Sequence, residues 1–492
     1  MPNAENEVKL RVPARFDLRA LSQGGNGFSV TPVEAKRLSS VYYDSDDLRL
    51  LHAGCSLRYR RGDGWTLKLP DDSRNAGLLR NEYTFPDDGA KVPATALDLA
   101  TAYLRGKPVH PITRLRTVRK ATRVNSRDGE ELAEIVDDDV RVIEDGHVSK
   151  RFREVEVELR GGASSDVLDE LVAWLQDKGA GKIDNTPKIV RSLAGAAALR
   201  PQAPPAEPPT TASALVKQAL RGALERLQRN DPIVRSATTP TSVHQMRVAT
   251  RRMRSDLRTF LPLLQHDWAC CLRARLHWLA DELGAVRDSD VMLQSINNYA
   301  ARLPQTDADG RAHVVRHFGD AGSAARSSLL AALRSPRYVE LLDELVDATE
   351  DPRVLPKADA APESVLPELM HDPWKALCDA IECVEEDPSF EQLHQTRIKA
   401  KRCRYACEAV APASGKNSQK LAKKIEKLQK VLGDYHDAVV LQQRLRAFQG
   451  ESHALFVAGA LSALASADAE RARSGWPAIW KKASKKKLRF WI

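Results

Sequence analysis

Two short stretches of the sequence place acidic side chains at every second position, which is the side-chain period of a β-strand. ENEVK carries Glu5, Glu7 and Lys9, and REVEVEL carries Glu154, Glu156 and Glu158. In a strand, each set would lie on one face. Three ionised carboxylates in a row repel one another, so such a face requires water or bound cations. For one such strand on its own, a solvated face is the usual interpretation.

Basic side chains recur at the same spacing in other stretches that alternate like strands. The charged residues of these stretches are Arg58, Arg60, Lys68, Arg80, Glu82, Arg114, Arg116, Arg119, Glu134 and Asp138. A closed antiparallel barrel would gather them in its lumen. There, carboxylates and water would hold Mg²⁺ or Mn²⁺, while Arg and Lys would hold phosphate oxygens. Because several strands repeat the pattern, it favours a site over unrelated surface charges.

The order of these motifs resembles the CYTH domain of the triphosphate tunnel metalloenzymes. ENEVK matches the ExExK signature of that family. The later pieces follow in the family's order: Tyr43-Asp44, LRYR, TLK, RxE, an Arg-rich strand, AExxDD, ExExE and the PKxxR of Pro187, Lys188 and Arg191. The resemblance covers about residues 1–197. It implies an antiparallel tunnel that binds a triphosphate with a divalent metal and hydrolyses it.

The resemblance also implies roles for individual residues. Metal ligands would be Glu5, Glu7, Glu156 and Glu158, assisted by Glu154. Triphosphate ligands would be Lys9, Arg58, Arg60, Lys68, Arg80, Arg116, Arg119 and Lys188. The catalytic set would be Glu5, Glu7 and Lys9: a water on the metal attacks the terminal phosphorus, and Lys9 orients or deprotonates that water. Thr122 stands where the family often has an aromatic residue, which leaves the strand register near Arg119 open.

The C-terminal part of the chain contains an internal repeat. HQMRVATRRMR begins at His244 and HQTRIKAKRCR at His394, an offset of 150 residues. LADELGAVRDSDV begins at Leu279 and LQKVLGDYHDAVV at Leu428, an offset of 149 residues. Apolar residues around both copies have the 3.6-residue period of a helix. The repeat therefore predicts two tandem helical bundles of related build.

The repeated basic residues fall on one stripe of each predicted helix, within an arc of about 80° at about 100° per residue. The stripes are His244, Arg247, Arg251, Arg254 and Arg258 in one copy, and His394, Arg397, Lys401 and Arg404 in the other, with Glu408 in place of Arg258. Like charges on one stripe destabilise an isolated helix. Either carboxylates of neighbouring helices or a bound anion must offset them, and the duplication favours an anion groove. A metal role for the histidines is disfavoured, because His244 has no carboxylate or Cys one turn away.

These repeats resemble the CHAD domain, a helical domain named for its conserved histidines. The match covers roughly residues 213–492 and implies binding of inorganic polyphosphate along a basic surface between the helical halves. The ligands would be His244, Arg247, Arg251, Arg252, Arg254, Arg258, His394, Arg397, Lys401, Arg402 and Arg404. Lys423 and Lys427, in KLAKKIEKLQK, either extend this basic track or form a solvated face.

Length and composition agree with two domains. The chain has 492 residues, 42% hydrophobic and 29% charged, and a net charge of +9, of which residues 1–200 contribute +1. PQAPPAEPPT, at 201–210, carries five prolines and predicts a semi-rigid linker. No run of about 18 apolar residues and no secretory signal is present, and the seven cysteines form no CxxC pair. These features favour the reducing cytoplasm and no membrane association.

Together, the two halves predict an α+β protein. We expect an antiparallel β-tunnel at residues 1–197, a linker at 198–212 and an all-α domain of two tandem bundles at 213–492. The expected function is Mg²⁺- or Mn²⁺-dependent hydrolysis of tripolyphosphate, with inorganic polyphosphate bound by the helical domain, in the cytoplasm and at polyphosphate granules. The alternative is a non-catalytic protein that binds polyphosphate or associates with its granules. Nucleic acid is disfavoured because aromatic stacking platforms are lacking, and no obligate protein partner is indicated.

Overall fold

The computed structural model describes residues 3–4, 7–13, 16–18, 27–70, 80–87, 89, 91–160, 162–193, 208–237, 239–489 and 491. For residues 3, 4 and 80 it describes the backbone alone. The chain divides into two compact units, Met1–Ala203 and Pro204–Ile492.

The first unit, called here the tunnel unit, is built around a curled antiparallel sheet. Its strands are β1 (Asn3–Ala4), β2 (Glu7–Arg11), β3 (Ser29–Pro32), β4 (Lys36–Asp44), β5 (Ser56–Arg60), β6 (Gly64–Pro70), β7 (Arg80–Phe85), β8 (His110–Asn125), β9 (Glu131–Glu144) and β10 (His147–Leu159). The order along the sheet is β1-β7-β6-β5-β4-β8-β9-β10-β2, and β3 pairs with β8. The N-terminal stretch thus pairs with β7 through β1 and with β10 through β2. The predicted antiparallel sheet is confirmed.

Helices cover the apolar face of this sheet. They are α1 (Arg49–His52), α2 (Ala94–Leu99), α3 (Thr101–Leu104), α4 (Ser165–Asp177) and α5 (Lys188–Ser192). Val155 and Val157 of β10 are fully buried in one core with Leu171 of α4. Trp65 of β6 is fully buried in another core with Tyr103 of α3. Since side chains alternate along a strand, the charged residues between these apolar ones lie on the opposite face.

The second unit, called here the helical unit, confirms the predicted all-α half. Its helices are α6 (Ala212–Ser236), α7 (Pro240–Thr259), α8 (His266–Ala300), α9 (Ala308–Leu333), α10 (Pro336–Glu350), α11 (Leu366–Glu382), α12 (Phe390–Ala409), α13 (Ala411–Ser414), α14 (Lys416–Arg446) and α15 (Ser452–Ala483). The two basic motifs lie on α7 and α12, and the two Leu-Gly motifs lie on α8 and α14. Within the described residues, no helix has both the length and the apolar character that a membrane span needs.

The two repeated helices begin with equivalent caps. The Thr239 hydroxyl accepts a hydrogen bond from the Ser242 backbone nitrogen at 3.2 Å, and the Ser389 hydroxyl accepts one from Gln392 at 3.2 Å. The Gln392 side chain accepts in return from the Ser389 backbone nitrogen at 2.9 Å, which completes a capping box. Thr239 and Ser389 are 150 residues apart, like the basic residues that follow them. The basic residues therefore lie at equivalent positions relative to the start of each helix.

Candidate active site and anion-binding cluster

The two strands that carry the alternating carboxylates, β2 and β10, are hydrogen-bonded neighbours. Glu158 lies opposite Glu7, and Glu156 lies opposite Lys9. All four side chains lie on the same face, because cross-strand partners share a face and so do residues two apart. Like charges directly opposite each other destabilise a sheet, so Glu7 and Glu158 need cations nearby. Arg160 lies 2.9 Å from Glu158. The Lys9 ammonium lies 3.3 Å from Glu7.

A cavity of about 360 Å³ opens on this charged face. The predicted site residues that line it are Glu7, Lys9, Arg58, Arg60, Lys68, Arg119, Glu156, Glu158 and Lys188. They come from five strands and from the start of α5, so the fold brings together residues that are far apart in the sequence. Among the described lining residues, Tyr42, Pro187 and Ile189 alone are apolar or aromatic. The cavity is therefore suited to a small, highly charged ligand.

Lys188 lies at the centre of a buried ionic network beside this cavity. Its Nζ is 2.9 Å from Asp138 Oδ2, 2.9 Å from Glu154 Oε1 and 2.7 Å from Glu156 Oε1. Asp138 and Glu154 are fully buried. A buried carboxylate without a partner would cost several kcal/mol, so this lysine stabilises three acidic residues at once.

Other cations complete the network. Arg191 Nη1 is 3.0 Å from Glu154 Oε2, so both oxygens of Glu154 are paired with protein cations. Arg119 donates to both oxygens of Asp138, at 2.9 and 2.7 Å. Neither Glu154 nor Asp138 lines the cavity. Glu154, for which the sequence implies an assisting role at the metal, is placed here as a buried counter-ion of Lys188 and Arg191.

The network keeps its members ionised. Burial raises the pKa of Glu156, but Lys188, Lys9 and Arg119 outweigh burial and hold that pKa well below its usual range. Burial lowers the pKa of Lys9, but the carboxylates of Glu156 and Glu7 more than reverse this and raise it above its ordinary value. Lys9 therefore keeps its proton at neutral pH. Of its two implied roles, orientation of a water fits this charge state, and deprotonation of a water does not.

Strands β5 and β6 contribute a cationic side to the cavity. Arg58 donates to Thr66 Oγ1 at 3.2 Å, and Arg60 donates to Ser40 Oγ at 3.2 Å. Arg60 also lies 2.9 Å from Asp63. Burial lowers the pKa of Arg60, and the charge of Arg58 lowers it further. Thr66 orients Arg58 without neutralising it, whereas the carboxylate of Asp63, which is 57% exposed, offsets part of the charge of Arg60. A cavity lined by both carboxylates and guanidinium groups fits an anion bound together with a metal cation.

Three predicted site residues need a separate account. Arg116 is exposed, and its cross-strand partners Ser39 and Arg141 are exposed as well. It is three residues from Arg119, and an odd separation puts two side chains on opposite faces of a strand. The expectation that Arg116 lines the lumen is therefore corrected. Glu5 and the side chain of Arg80 lie outside the described residues, so their roles stay predictions.

Five charged residues belong to the site although the sequence analysis named none of them as a ligand: Asp63, Glu82, Asp138, Arg160 and Arg191. Of these, Glu82 and Asp138 were expected in the lumen, and Arg191 is part of the PKxxR motif. Glu82 lies 3.0 Å from Lys68, and Arg160 lies 2.9 Å from Glu158. A signal for both was present in the sequence. The RxE motif contains Glu82, and the alternation of ExExE reaches Arg160 after one more step.

In the helical unit, equivalent basic residues of the two repeats come together. Arg247 is 3.1 Å from Asp288, and Arg397 is 3.8 Å from Asp437, its equivalent in the second copy. The glycines of the two Leu-Gly motifs lie beside these arginines: a Cβ at Gly433 would be 3.5 Å from Arg397 Nε, and a Cβ at Gly284 would be 4.0 Å from Arg247 Nη2, both ordinary contact distances. The fold thus repeats an arginine, an aspartate and a glycine around one centre.

Lys401 is surrounded mainly by cations. Burial, followed by the charges of Arg397, Arg251 and Arg247, lowers its pKa to about 7, although Asp437 opposes this. Arg251 lies over the Tyr405 ring, 5.4 Å from its centroid, and burial lowers its pKa as well. Arg247, Arg251, Arg397 and Lys401 are called here the basic cluster. Carboxylates of neighbouring helices balance its charge only in part.

Other predicted polyphosphate ligands are paired with carboxylates. Arg252 contacts Glu408 and lies 3.0 Å from Asp256. Arg404 lies 2.8 Å from Glu426. For these two arginines, carboxylates of the protein offset the charge, which is the alternative to a bound anion.

The remaining predicted ligands lie elsewhere on the same helices. Burial, followed by the charges of Arg402, Arg273 and Arg254, lowers the pKa of Arg258 to about 10, so these guanidinium groups lie near one another. Arg273, on α8, was not predicted. Lys423 and Lys427 are exposed on α14.

The two repeated histidines are placed differently in their surroundings. His394 Nδ1 lies 3.1 Å from His436 Nδ1, and its ring stacks on Phe390. Burial and the charge of Arg397 lower the pKa of His436 to about 4. Burial and the charge of Arg287 lower the pKa of His244. These imidazoles are neutral at neutral pH, where they offer hydrogen bonds rather than charge.

Comparison with known proteins agrees with both halves. The CYTH domain model matches residues 3–190, and the CHAD domain model matches residues 218–446. The chain is 31% identical over 475 residues to the uncharacterized protein Rv2226 of Mycobacterium tuberculosis H37Rv, covering 89% of this chain and 88% of that protein. The chain belongs to this family of CYTH–CHAD proteins. The resemblance to both domains is thereby confirmed.

Two solved structures are similar to single parts of this CYTH–CHAD protein. The CHAD domain from the plant Ricinus communis is 30% identical, with a TM-score of 0.47, and the match covers 56% of this chain and 95% of that one. HpAC1 from Hippeastrum, described as having a dominant triphosphatase activity, is 18% identical, with a TM-score of 0.27, and the match covers 39% of this chain and 98% of that one.

Replacement of Lys188 by methionine tests the ionic network. Loss of the cation leaves three carboxylates under-compensated, so we expect Lys188→Met to reduce the free energy of unfolding of the tunnel unit by about 3–5 kcal/mol. Because the folded-state pKa of Glu156 lies below 4.5, its contribution is present above that pH and is lost as the pH falls through the folded value. The difference in free energy of unfolding between the wild type and Lys188→Met should therefore become smaller at acidic pH.

Hydrogen exchange of peptides from β9 and β10, combined with urea unfolding, measures this change. Lys182→Met is the matched control, because Lys182 is exposed on the same unit. Equal stability of Lys188→Met and Lys182→Met at neutral pH would contradict the role given to Lys188.

Proposed function

We propose that this protein hydrolyses inorganic tripolyphosphate in the tunnel unit, with Mg²⁺ or Mn²⁺, and binds inorganic polyphosphate at the basic cluster of the helical unit. The observation that carries the first part is the combination of opposite charges in one cavity. Carboxylates of β2 and β10, together with Asp63 and Glu82, line it alongside Lys9, Lys188, Arg160 and the guanidinium and ammonium groups of β5, β6 and β8.

Glu7 and Glu158 are the residues best suited to hold the metal. They lie directly opposite each other on neighbouring strands and supply oxygen ligands, the type that Mg²⁺ and Mn²⁺ prefer. Glu156 lies two pairs further along, on the same face, and is engaged by Lys9 and Lys188. When bound, the ion would supply positive charge to the phosphate oxygens, in the way divalent metals act in phosphoryl transfer.

The protein's own cations would hold the phosphate chain. Arg58, Arg60, Lys68 and Arg119 line the cavity and supply donors for phosphate oxygens. Phosphoryl transfer depends mainly on positioning and charge stabilisation, so no covalent nucleophile is required. The described lining has little apolar or aromatic surface for a nucleobase, which favours inorganic tripolyphosphate over a nucleotide.

The basic cluster supports the second part of the proposal. Two arginines and a lysine at its centre are largely buried, and burial lowers the pKa of each. A polyanion would offset their mutual repulsion. Since the cluster draws on both copies of the repeat, a linear anion lying between the copies would contact both.

A second candidate is a protein that holds polyphosphate without cleaving it. The observation in its favour is that Glu154 and Glu156 are already engaged by protein cations. In this case, the tunnel unit would serve as a second binding site for phosphate.

Phosphate release from tripolyphosphate tests catalysis. With Mg²⁺ or Mn²⁺, the full chain should release phosphate faster from tripolyphosphate than from ATP, and Glu7→Gln should lower the rate about 100-fold or more, because a metal ligand is removed. Glu144→Gln, at an exposed position of β9, is the control and should retain the wild-type rate. If wild type and Glu7→Gln release phosphate equally slowly, the enzyme proposal fails and the binding candidate takes its place.

Polyphosphate binding is tested at Arg397. Arg397→Gln should weaken binding of long-chain polyphosphate about tenfold, because one charge-assisted contact is lost. Arg316→Gln, at an exposed position of α9, controls for the change in net charge. Isothermal titration at fixed salt, with double-stranded DNA as competitor, measures both. Equal effects of the two substitutions, or equally effective competition by DNA, would contradict a specific polyphosphate site.

The pH dependence of binding follows from Lys401. Its pKa of about 7 without ligand should rise when phosphates approach, so binding takes up a proton near and above pH 7 and affinity falls as the pH rises. The groups that act on Lys401 are Arg397 on its own helix, Arg247 and Arg251 on α7, and Asp437 on α14.

Lys401→Arg is the matched variant, because the equivalent position of the first repeat holds Arg251. Arginine stays charged, so polyphosphate affinity of the variant should change less between pH 6 and pH 9 than that of the wild type. Titration in buffers of different ionisation enthalpy measures the proton uptake. Identical pH profiles for both proteins would show that Lys401 does not titrate on binding.

A further inference from the structure

A group of metal-ligating side chains lies away from both sites described above, where α9 meets α15. His313 comes from the first turns of α9, Glu451 is the residue before α15, and His453 lies in the first turn of α15. One ligand atom from each residue lies within 4.8 Å of the others. The imidazole rings of His313 and His453 are 5.4 Å apart, and His453 Nδ1 is 3.6 Å from a Glu451 oxygen.

Packing beneath these residues holds the two helix starts in place. Gly310 lies one turn before His313, and a Cβ at Gly310 would be 2.7 Å from the carbonyl oxygen of His453. Only a glycine permits this approach, so α9 touches the backbone of a ligand residue itself. Val314 and Ala454, next to His313 and His453 in the sequence, are buried in one hydrophobic core. The ligand positions are therefore set by buried contacts, although the side chains themselves reach the surface.

A neighbouring histidine shows the contrast. His317 lies one turn after His313, but its ring packs edge-on against Phe318 and Phe448, at 5.2 and 5.1 Å. His453 remains 47% exposed and Glu451 70% exposed. These two side chains and His313 therefore have room for small rotations that close the distances between them.

We propose that His313, Glu451 and His453 bind a divalent transition-metal ion such as Zn²⁺. Two imidazoles and a carboxylate are a common ligand set for Zn²⁺, with ligand atoms about 2.0–2.2 Å from the metal and thus about 3.4 Å from one another. In this structure the ligand atoms lie within 4.8 Å of one another, and rotation of the exposed side chains can bring them to the separation of a zinc site. Solvent access leaves the remaining coordination position to water. Imidazole ligands also separate this site from the oxygen-ligand site of the tunnel unit, which suits Mg²⁺ or Mn²⁺.

Such an ion would link α9 to α15. Because the three ligands come from both helices, binding favours the folded helical unit and raises its unfolding temperature in proportion to occupancy. The site is independent of the triphosphatase proposal, since none of its residues lies in the tunnel unit.

Zinc titration of the full chain tests the site. Calorimetry with Zn²⁺ is done in excess Mg²⁺, which occupies carboxylate sites. It should show one Zn²⁺ bound per chain, and His313→Gln and His453→Gln should each lower the affinity for Zn²⁺ at least tenfold. The visible spectrum of bound Co²⁺ should show the same loss. His277→Gln is the control, because His277 is an exposed histidine 2.9 Å from Asp281 on α8. It should bind as the wild type does.

Thermal unfolding provides a second readout. Zn²⁺ should raise the unfolding midpoint of the wild type and of His277→Gln, and leave those of His313→Gln and His453→Gln unchanged. All four proteins should unfold at the same temperature without metal, because the substituted side chains are exposed. Retention of the zinc equivalent in both variants, or its loss in His436→Gln instead, would overturn the proposal.

Discussion

Compensation of buried charge is the constraint on which the tunnel unit depends. Strands β9 and β10 direct carboxylates to the inside of a curled sheet, and two of them, Asp138 and Glu154, are fully buried. Each would be costly on its own, because the loss of water around an ion is not repaid without a close partner. Lys188, at the start of α5, contacts both of them and Glu156 as well. The short helix after the sheet is therefore what allows the strands to keep an acidic interior.

This compensation also sorts the acidic residues by role. Carboxylates nearest Lys188 are held by protein cations and stiffen the interior, while Glu7 and Glu158 face each other across β2 and β10. Each of these two carboxylates also has a protein cation nearby, Lys9 at 3.3 Å from Glu7 and Arg160 at 2.9 Å from Glu158, so their suitability for a metal rests on their direct opposition across the two strands. The same rows of alternating glutamates thus contain both structural and candidate metal-binding residues.

The helical unit handles charge in the opposite way. Its internal repeat brings Arg247, Arg397 and Lys401 together, with aspartates that balance them in part. Burial, followed by repulsion from the neighbouring arginines, lowers the pKa of Lys401 to about 7, which is a cost in the free protein and an advantage for binding an anion. Arg252 and Arg404, on the same two helices, are neutralised by carboxylates and stabilise packing.

The sequence by itself determined the regular features of this protein. Alternation predicted the charged strands, a shared offset predicted the paired helices, and the motifs predicted both domains, because the period of a strand or helix is a local property. Only the tertiary structure decided which charges neutralise one another. Arg116 and Arg119 differ by three residues and lie on opposite faces, Glu154 is paired beneath the cavity, and His313 meets His453 from 140 positions away. Such outcomes depend on distances between elements, which no local pattern specifies.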